Sequence, residues 1–168
     1  SGWSKQGGYE IYLMDSAYGT DLWDHVKEAG DPYEIRPGTP NYIERLESGL
    51  LSYGADTDAE SNPFELGLDR FIDLEQSVDF IGKQALSRIR DQGVSRLFKG
   101  VFLDGPKLTA INEERWAITH RGRDVGYVSA AAFSPRLEAN IAVGMIATAV
   151  VPSGESFALK GADCDRSG

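Results

Sequence analysis

One cysteine, two histidines and a deficit of basic residues are what this 168-residue chain is short of, and each shortage closes off a class of chemistry. A lone Cys164 cannot form an internal disulfide, which points to a reducing compartment, the cytoplasm, and to a thiol that is an inert tail residue. His25, on the polar side of a charged helix, and His120, at a strand end, do not resemble a catalytic base, and no zinc-ligand spacing is present. With 17 Lys and Arg against 26 Asp and Glu, the net charge is −9, which argues against a nucleic-acid footprint. It mildly favours a cationic ligand. No apolar run approaches the roughly 18 residues of a membrane span. The longest, Ile141 to Val151, is broken by Gly144 and Thr148 and reads as a barrel strand. The chain has neither a phosphate-cradling G-x-x-x-x-G-K nor a G-x-S-x-G nucleophile elbow.

What is present is a chain in two halves, dividing at Asp91 to Ser95. The first half reads α/β. Tyr9 to Leu13 alternates as a strand, with Glu10 and Tyr12 on one face and Tyr9, Ile11 and Leu13 on a core-facing one. Leu22, Trp23 and Val26 recur at helical spacing before a stop at Gly30. An extended piece at Tyr33 to Arg36 ends at the Pro37-Gly38 turn. Thr39-Pro40 reads as an N-cap and first helical position, followed by a stripe of Ile43, Leu46 and Leu50. Asn62-Pro63 opens a short helix through Leu66, a strand follows at Arg70 to Leu74, and Ile81, Ala85, Leu86 and Ile89 make an amphipathic helix ending near Gly93. The second half changes period. Leu97 to Leu103, Trp116 to His120, Val125 to Ala130, Ile141 to Ala149 and Ser156 to Leu159 are β-rich runs, the spacing of a small antiparallel barrel or Greek-key module. The fold class expected is α+β, with 1–93 an α/β portion and 94–168 the barrel.

A carboxylate beside an aromatic ring, as in Glu10 and Tyr12, suits a flat hydrogen-bonding heterocycle; a solvated Glu and a half-buried Tyr would look the same. Trp3, ahead of the Gly7-Gly8 turn, is either a packing aromatic or a π-face for a cation. Lys5 and Gln6 sit on the same approach to that turn. Arg45 and Glu47 are too close in sequence to share a helical face, and Arg45 has two open roles, a bidentate partner for a ligand carboxylate or a structural ion pair. Ser52 is either a ligand-binding hydroxyl or a buried helix-end serine. Asp56 and Asp58 are expected to be solvated turn residues; no metal site is expected.

GWSKQGGYEIYL, from Gly2, resembles the GYTGEDGFEIY segment of the glycine-cleavage T-protein family of folate-binding enzymes. ERLESGLLSYGADTD, NPFELGLDRFIDL, DFIGKQAL, RLFKGVFLDG and VGYVSAAAFSPRLEANIAVGMI resemble further family segments in the family's own order. The resemblance implies tetrahydrofolate as cofactor, with Glu10, Tyr12 and Arg45 against it. It also implies a small-molecule donor, with Trp3 and Ser52 as its candidate contacts. The standard aminomethyltransferase pattern has Arg-Asp-Ser where this chain has Asn41-Tyr42-Ile43. That departure, with GWSKQGG, resembles the family's demethylase branch, which passes a methyl group from the sulfonium dimethylsulfoniopropionate to tetrahydrofolate without a protein nucleophile. The alternatives are an aminomethyltransferase using an amine donor and a non-enzymatic iron–sulfur assembly protein. The last carries a Lys-Gly-Cys-Tyr-x-Gly motif, whereas Phe80-Ile81-Gly82-Lys83 here has no cysteine. Family members are much longer, so the resemblance implies a C-terminal fragment, inactive alone, that lacks the N-terminal half and its catalytic-site aspartate. No catalytic residue is assigned in this stretch.

Overall fold

The computed structural model describes residues 7–39 and 41–150, together with the backbone of 158–160. Trp3, Lys5, Gln6 and Cys164 lie outside the described residues. Among the described residues the fold is α+β, with three α-helices ahead of an antiparallel sheet.

Helix α1, Gly19–Gly30, has Leu22 and Val26 half-buried on one side, as their spacing predicts, whereas Trp23, expected on the same stripe, is exposed. Helix α2, Tyr42–Ser48, starts later than Thr39-Pro40 implies, because the Asn41 side chain supplies the cap by accepting the Ile43 amide at 2.9 Å. It ends at Gly49, whose φ of 64° is the left-handed cap that glycine adopts cheaply. Helix α3, Lys83–Gln92, stops where Gly93 breaks the pattern.

Four further expectations in this half are corrected. Residues 7–13 form no strand, and Tyr9, Ile11 and Leu13 are exposed rather than core-facing, since no described strand offers them a ladder. Asn62-Pro63 opens a single turn, not a helix; Asn62 Oδ1 accepts the Phe64 and Glu65 amides, and Gly67 at φ 68° ends it. The stretch from Arg70 contains a 3-10 turn, Asp69–Phe71, in place of a strand. Tyr33 likewise closes a 3-10 turn, Asp31–Tyr33, and Glu34 is left-handed at φ 56°, so the extended piece starts only at Ile35.

The sheet comprises β1 (Arg96–Leu103), β2 (Trp116–His120), β3 (Arg123–Ser134), β4 (Ala139–Ala147) and β5 (Ala158–Lys160). Every pairing is antiparallel, in the order β1-β4-β3-β2-β5. Strands β2, β3 and β4 are successive neighbours, and β1 returns beside β4, which is Greek-key order. β4 is buried along nearly its whole length because the sheet is covered on both sides. One side packs Trp116, Ile118, Val128, Ala131, Ala142 and Ile146. The other packs Ala130, Ala132, Ile141 and Val143 against Leu46 of α2, with Tyr42, Ile43 and Phe98 at its rim.

Val128 and Ala130, two residues apart, belong to opposite clusters. The reason is a bulge. Val128 pairs with Gly144 and Ala130 with the very next residue, Val143, so Ser129 is the extra residue in β3 and the alternation flips there.

Candidate functional site

The expected site residues fall into two groups. Glu10 and Tyr12 are exposed and lie on the same side of the extended segment, Tyr12 Oη donating to Glu10 Oε2 at 2.5 Å. The shared side anticipated from alternation therefore holds without a strand. That bond, ahead of a small burial effect, pushes the Tyr12 phenol above its ordinary value.

Ser52 and Arg45 form the second group, and Asp56 is what joins them. Arg45 sits in α2 one position before Leu46, so the helix that buries Leu46 buries Arg45 as well; Tyr42, one turn earlier, lies under its guanidinium at 5.2 Å. Neither the Arg45 nor the Asp56 side chain has any exposure, and Arg45 Nη2 donates to Asp56 Oδ2. The same Oδ2 accepts the Ser52 amide at 2.8 Å, while the Asp56 amide returns to the Ser52 carbonyl at 2.9 Å. Asp56 Oδ1 accepts from Ser129 Oγ at 2.5 Å. One carboxylate thus ties together α2, the Ser52–Asp56 loop and the bulge of β3.

Asp56 is a correction: it is fully buried, not a solvated turn residue, because donors eleven residues back and seventy-three residues ahead converge on it. Asp58 is exposed as expected; its carboxyl is held below the usual range first by the Ser61 hydroxyl and then by the Glu60 amide. Sequence reasoning passed over Ser129 and Arg115 altogether. Arg115, in the connection before β2, donates to the Ala55 carbonyl at 2.9 Å and stacks on Tyr127 at 4.3 Å, so the loop is pinned from the barrel at two points. No short-range pattern marks either residue.

A second carboxylate repeats the arrangement beside it. Glu47, two residues on from Arg45, accepts from Ser134 Oγ at 2.5 Å and faces Arg136 at 3.6 Å. A third clamp holds the turn after Asn62: Arg96 of β1 reaches both oxygens of the buried Glu65, at 2.8 and 3.3 Å. His25 Nδ1 donates to the Asp21 carbonyl at 2.7 Å, a contact internal to its helix. Among the described residues, no three His, Cys, Asp or Glu side chains cluster as a metal site, and no helix is long and apolar enough to cross a membrane.

The GCVT N-terminal domain model matches residues 1–76, and the glycine cleavage T-protein C-terminal barrel domain model matches residues 98–164. The chain belongs to the glycine-cleavage T-protein family. Among T-protein relatives, a dimethylsulfoniopropionate demethylase of Ruegeria pomeroyi is 42% identical over 146 residues, covering 87% of this chain and 39% of the relative. An aminomethyltransferase of Synechococcus sp. (strain CC9902) is 34% identical over 163 residues, covering 95% of this chain and 42% of the relative. The chain spans about two fifths of the length of these curated relatives. The crystal structure of the glycine cleavage system aminomethyltransferase T from Bartonella henselae superposes with a TM-score of 0.56 at 23% identity, over 64% of this chain and 30% of that one, and shows the same fold. These relatives lend no support to the iron–sulfur assembly alternative.

Proposed function

We propose that this T-protein family chain forms part of a tetrahydrofolate-dependent methyltransferase that demethylates the sulfonium dimethylsulfoniopropionate. The observation that carries the reading is the 42% identity to the Ruegeria pomeroyi demethylase, against 34% to the Synechococcus aminomethyltransferase. Asn41 supports it: where the aminomethyltransferase pattern has arginine, this chain has a neutral side chain that is spent on capping α2. The net charge of −9 suits a cationic donor, and a single cysteine suits a reducing, cytoplasmic setting.

The exposed Glu10–Tyr12 pair fits a pterin, since a carboxylate accepts ring N–H groups while a neighbouring phenol covers the edge. When bound, tetrahydrofolate supplies the nitrogen that takes the methyl group. The chain's own part is to bind and orient. Glu10 fixes the pterin, Trp3 offers a π-face to the sulfonium, and Ser52 offers a hydroxyl to the donor carboxylate. Arg45, fully buried against Asp56, serves the site as the structural ion pair rather than as a direct ligand contact. Because a sulfonium leaves as a neutral sulfide, no protein nucleophile is required, and holding both reactants in line contributes ~7–11 kcal/mol of the barrier. We also propose that the folate-binding portion ends near residue 93 and the barrel begins near residue 94.

A second reading, aminomethyl transfer, keeps the same folate residues and is favoured by the Synechococcus match extending over 95% of the chain. Assaying the full-length enzyme with tetrahydrofolate and each donor separates the two. The demethylase reading expects 5-methyltetrahydrofolate and a methylthio acid from the sulfonium; turnover only with an aminomethylated lipoyl donor overturns it.

A further inference from the structure

We infer that Ser129 of the barrel is a positioning residue for the loop that carries Ser52, acting through the buried carboxylate of Asp56. Its consequence for the donor rests on the proposal that Ser52 contacts that donor.

Two independent observations lead there. The first is the bulge. Ser129 is the residue that the β3–β4 ladder leaves over, between Val128↔Gly144 and Ala130↔Val143. Bulges of this kind bend a strand and re-aim one side chain. The second is the division of the Asp56 carboxylate. Oδ1 receives Ser129 Oγ at 2.5 Å, whereas Oδ2 receives Arg45 and, at 2.8 Å, the Ser52 amide. Ser129 has one hydroxyl proton; its other acceptor, the Val143 carbonyl, is farther at 3.2 Å, so the proton goes to Asp56.

A carboxylate is a rigid plane. Rotation or retreat at Oδ1 moves Oδ2, and with it the Ser52 amide. The loop cannot adjust freely around that change, because Arg115 holds the Ala55 carbonyl from the barrel side and the Asp56 amide is bonded back to the Ser52 carbonyl. Strand β3 therefore sets the position of Ser52. The charge inside the relay is matched by Arg45, both the Arg45 and Asp56 side chains being without exposure, while Ser129 approaches them from a partly buried position.

The test uses the full-length enzyme with Ser129→Ala, which removes one hydroxyl and leaves Arg45, Asp56 and Ser52 in place, and Ser129→Thr, which keeps the hydroxyl. Hydrogen–deuterium exchange at the Ser52 amide, with α3 amides as reference, reads the mechanical link. Steady-state kinetics with dimethylsulfoniopropionate and tetrahydrofolate read its consequence. We expect Ser129→Ala to speed exchange at Ser52 and to raise the donor KM, each by about tenfold, with the tetrahydrofolate KM and kcat near wild type and Ser129→Thr restoring both readouts. Unchanged exchange at Ser52 overturns the inference. So does faster exchange with an unmoved donor KM when a Ser52→Ala control does raise that KM. If neither Ser129→Ala nor Ser52→Ala moves the donor KM while exchange at Ser52 rises, the link stands and the assignment of Ser52 to the donor fails.

Discussion

Arg45 and Asp56, eleven residues apart, form an ion pair from which both side chains are wholly withdrawn from solvent. Burying two charges costs several kcal/mol per ion before their attraction is counted, so the pair adds little net stability by existing. Its effect lies in what breaking it costs and in the geometry it enforces on α2, the Ser52 loop and β3.

Asp56→Ala should accordingly destabilise the protein by about 3–5 kcal/mol, since it leaves a buried guanidinium without its carboxylate. Asp56→Asn should cost less, because the amide oxygen still accepts one donor. Urea denaturation of the two variants checks the order. An Ala variant no less stable than wild type would mean that the pair is dispensable.

The Arg96–Glu65 clamp is expected to be worth less. Arg96 is 37% exposed, so solvent screens part of the interaction although Glu65 is nearly buried. Arg96→Ala should lose about 1–2 kcal/mol, and Arg96→Lys should recover only part of that, since lysine lacks the planar fork that reaches both Glu65 oxygens. Complete recovery by lysine would show that charge alone matters.

Two glycines separate close approach from open space. A Cβ at Gly144 would stand 2.0 Å from the Tyr127 carbonyl oxygen, a backbone atom that cannot swing away, so Gly144→Ala should force β3 and β4 apart at a cost of about 1–3 kcal/mol or more. Gly19 opens α1 at φ −60° with nothing within 4 Å of an added Cβ. Gly19→Ala should therefore stabilise by about 0.4–1 kcal/mol through the unfolded chain. Thermal melts of both variants test the opposite signs.

The barrel was legible in the sequence because strands of this kind advertise themselves by composition and by the turns between them. Each of the five runs overlaps a described strand, although β3 extends to Ser134 through three alanines whose low strand preference is overridden by burial. Tyr9 to Leu13 shows the limit. Alternation tells which side chains share a side, and Tyr12 does meet Glu10, but a strand is a ladder and its partner is not written locally. Asp56 shows the same limit for the site. A Gly-Ala-Asp loop reads as solvated until the chain brings Arg45 and Ser129 to it, and neither of them shares a helix or strand with Asp56.

Tyr42 gives the same neighbourhood a pH signature. Burial pushes its phenol above the ordinary 10.0, with Arg45 lowering it and Asp56 raising it again. A raised folded-state value means that the native protein holds this proton more tightly than the unfolded chain. Its contribution is therefore complete below the unfolded value and is lost as pH rises through the folded one. Stability measured from pH 9 upward should fall less steeply in Tyr42→Phe than in wild type. Parallel curves would show that Tyr42 does not couple to folding.

Glu10 and Tyr12 allow the folate proposal to be tested apart from the fold. Both are exposed and join no described element, so substituting them should leave the melting temperature unchanged. If Glu10 accepts pterin N–H donors, Glu10→Gln in the full-length enzyme replaces a charged acceptor with a neutral one and adds a competing donor. Tetrahydrofolate affinity should then fall about ten- to a hundredfold. Tyr12→Phe keeps the ring and deletes the hydroxyl that engages Glu10, so it should weaken binding less. Calorimetric titration of both variants, alongside Trp3→Leu, tells the subsites apart. Trp3→Leu should raise the sulfonium KM through loss of ~0.5–2 kcal/mol of cation–π attraction while folate affinity holds. Folate binding untouched by Glu10→Gln would remove the pterin from this segment, and a loss shared equally by all three variants would point to packing.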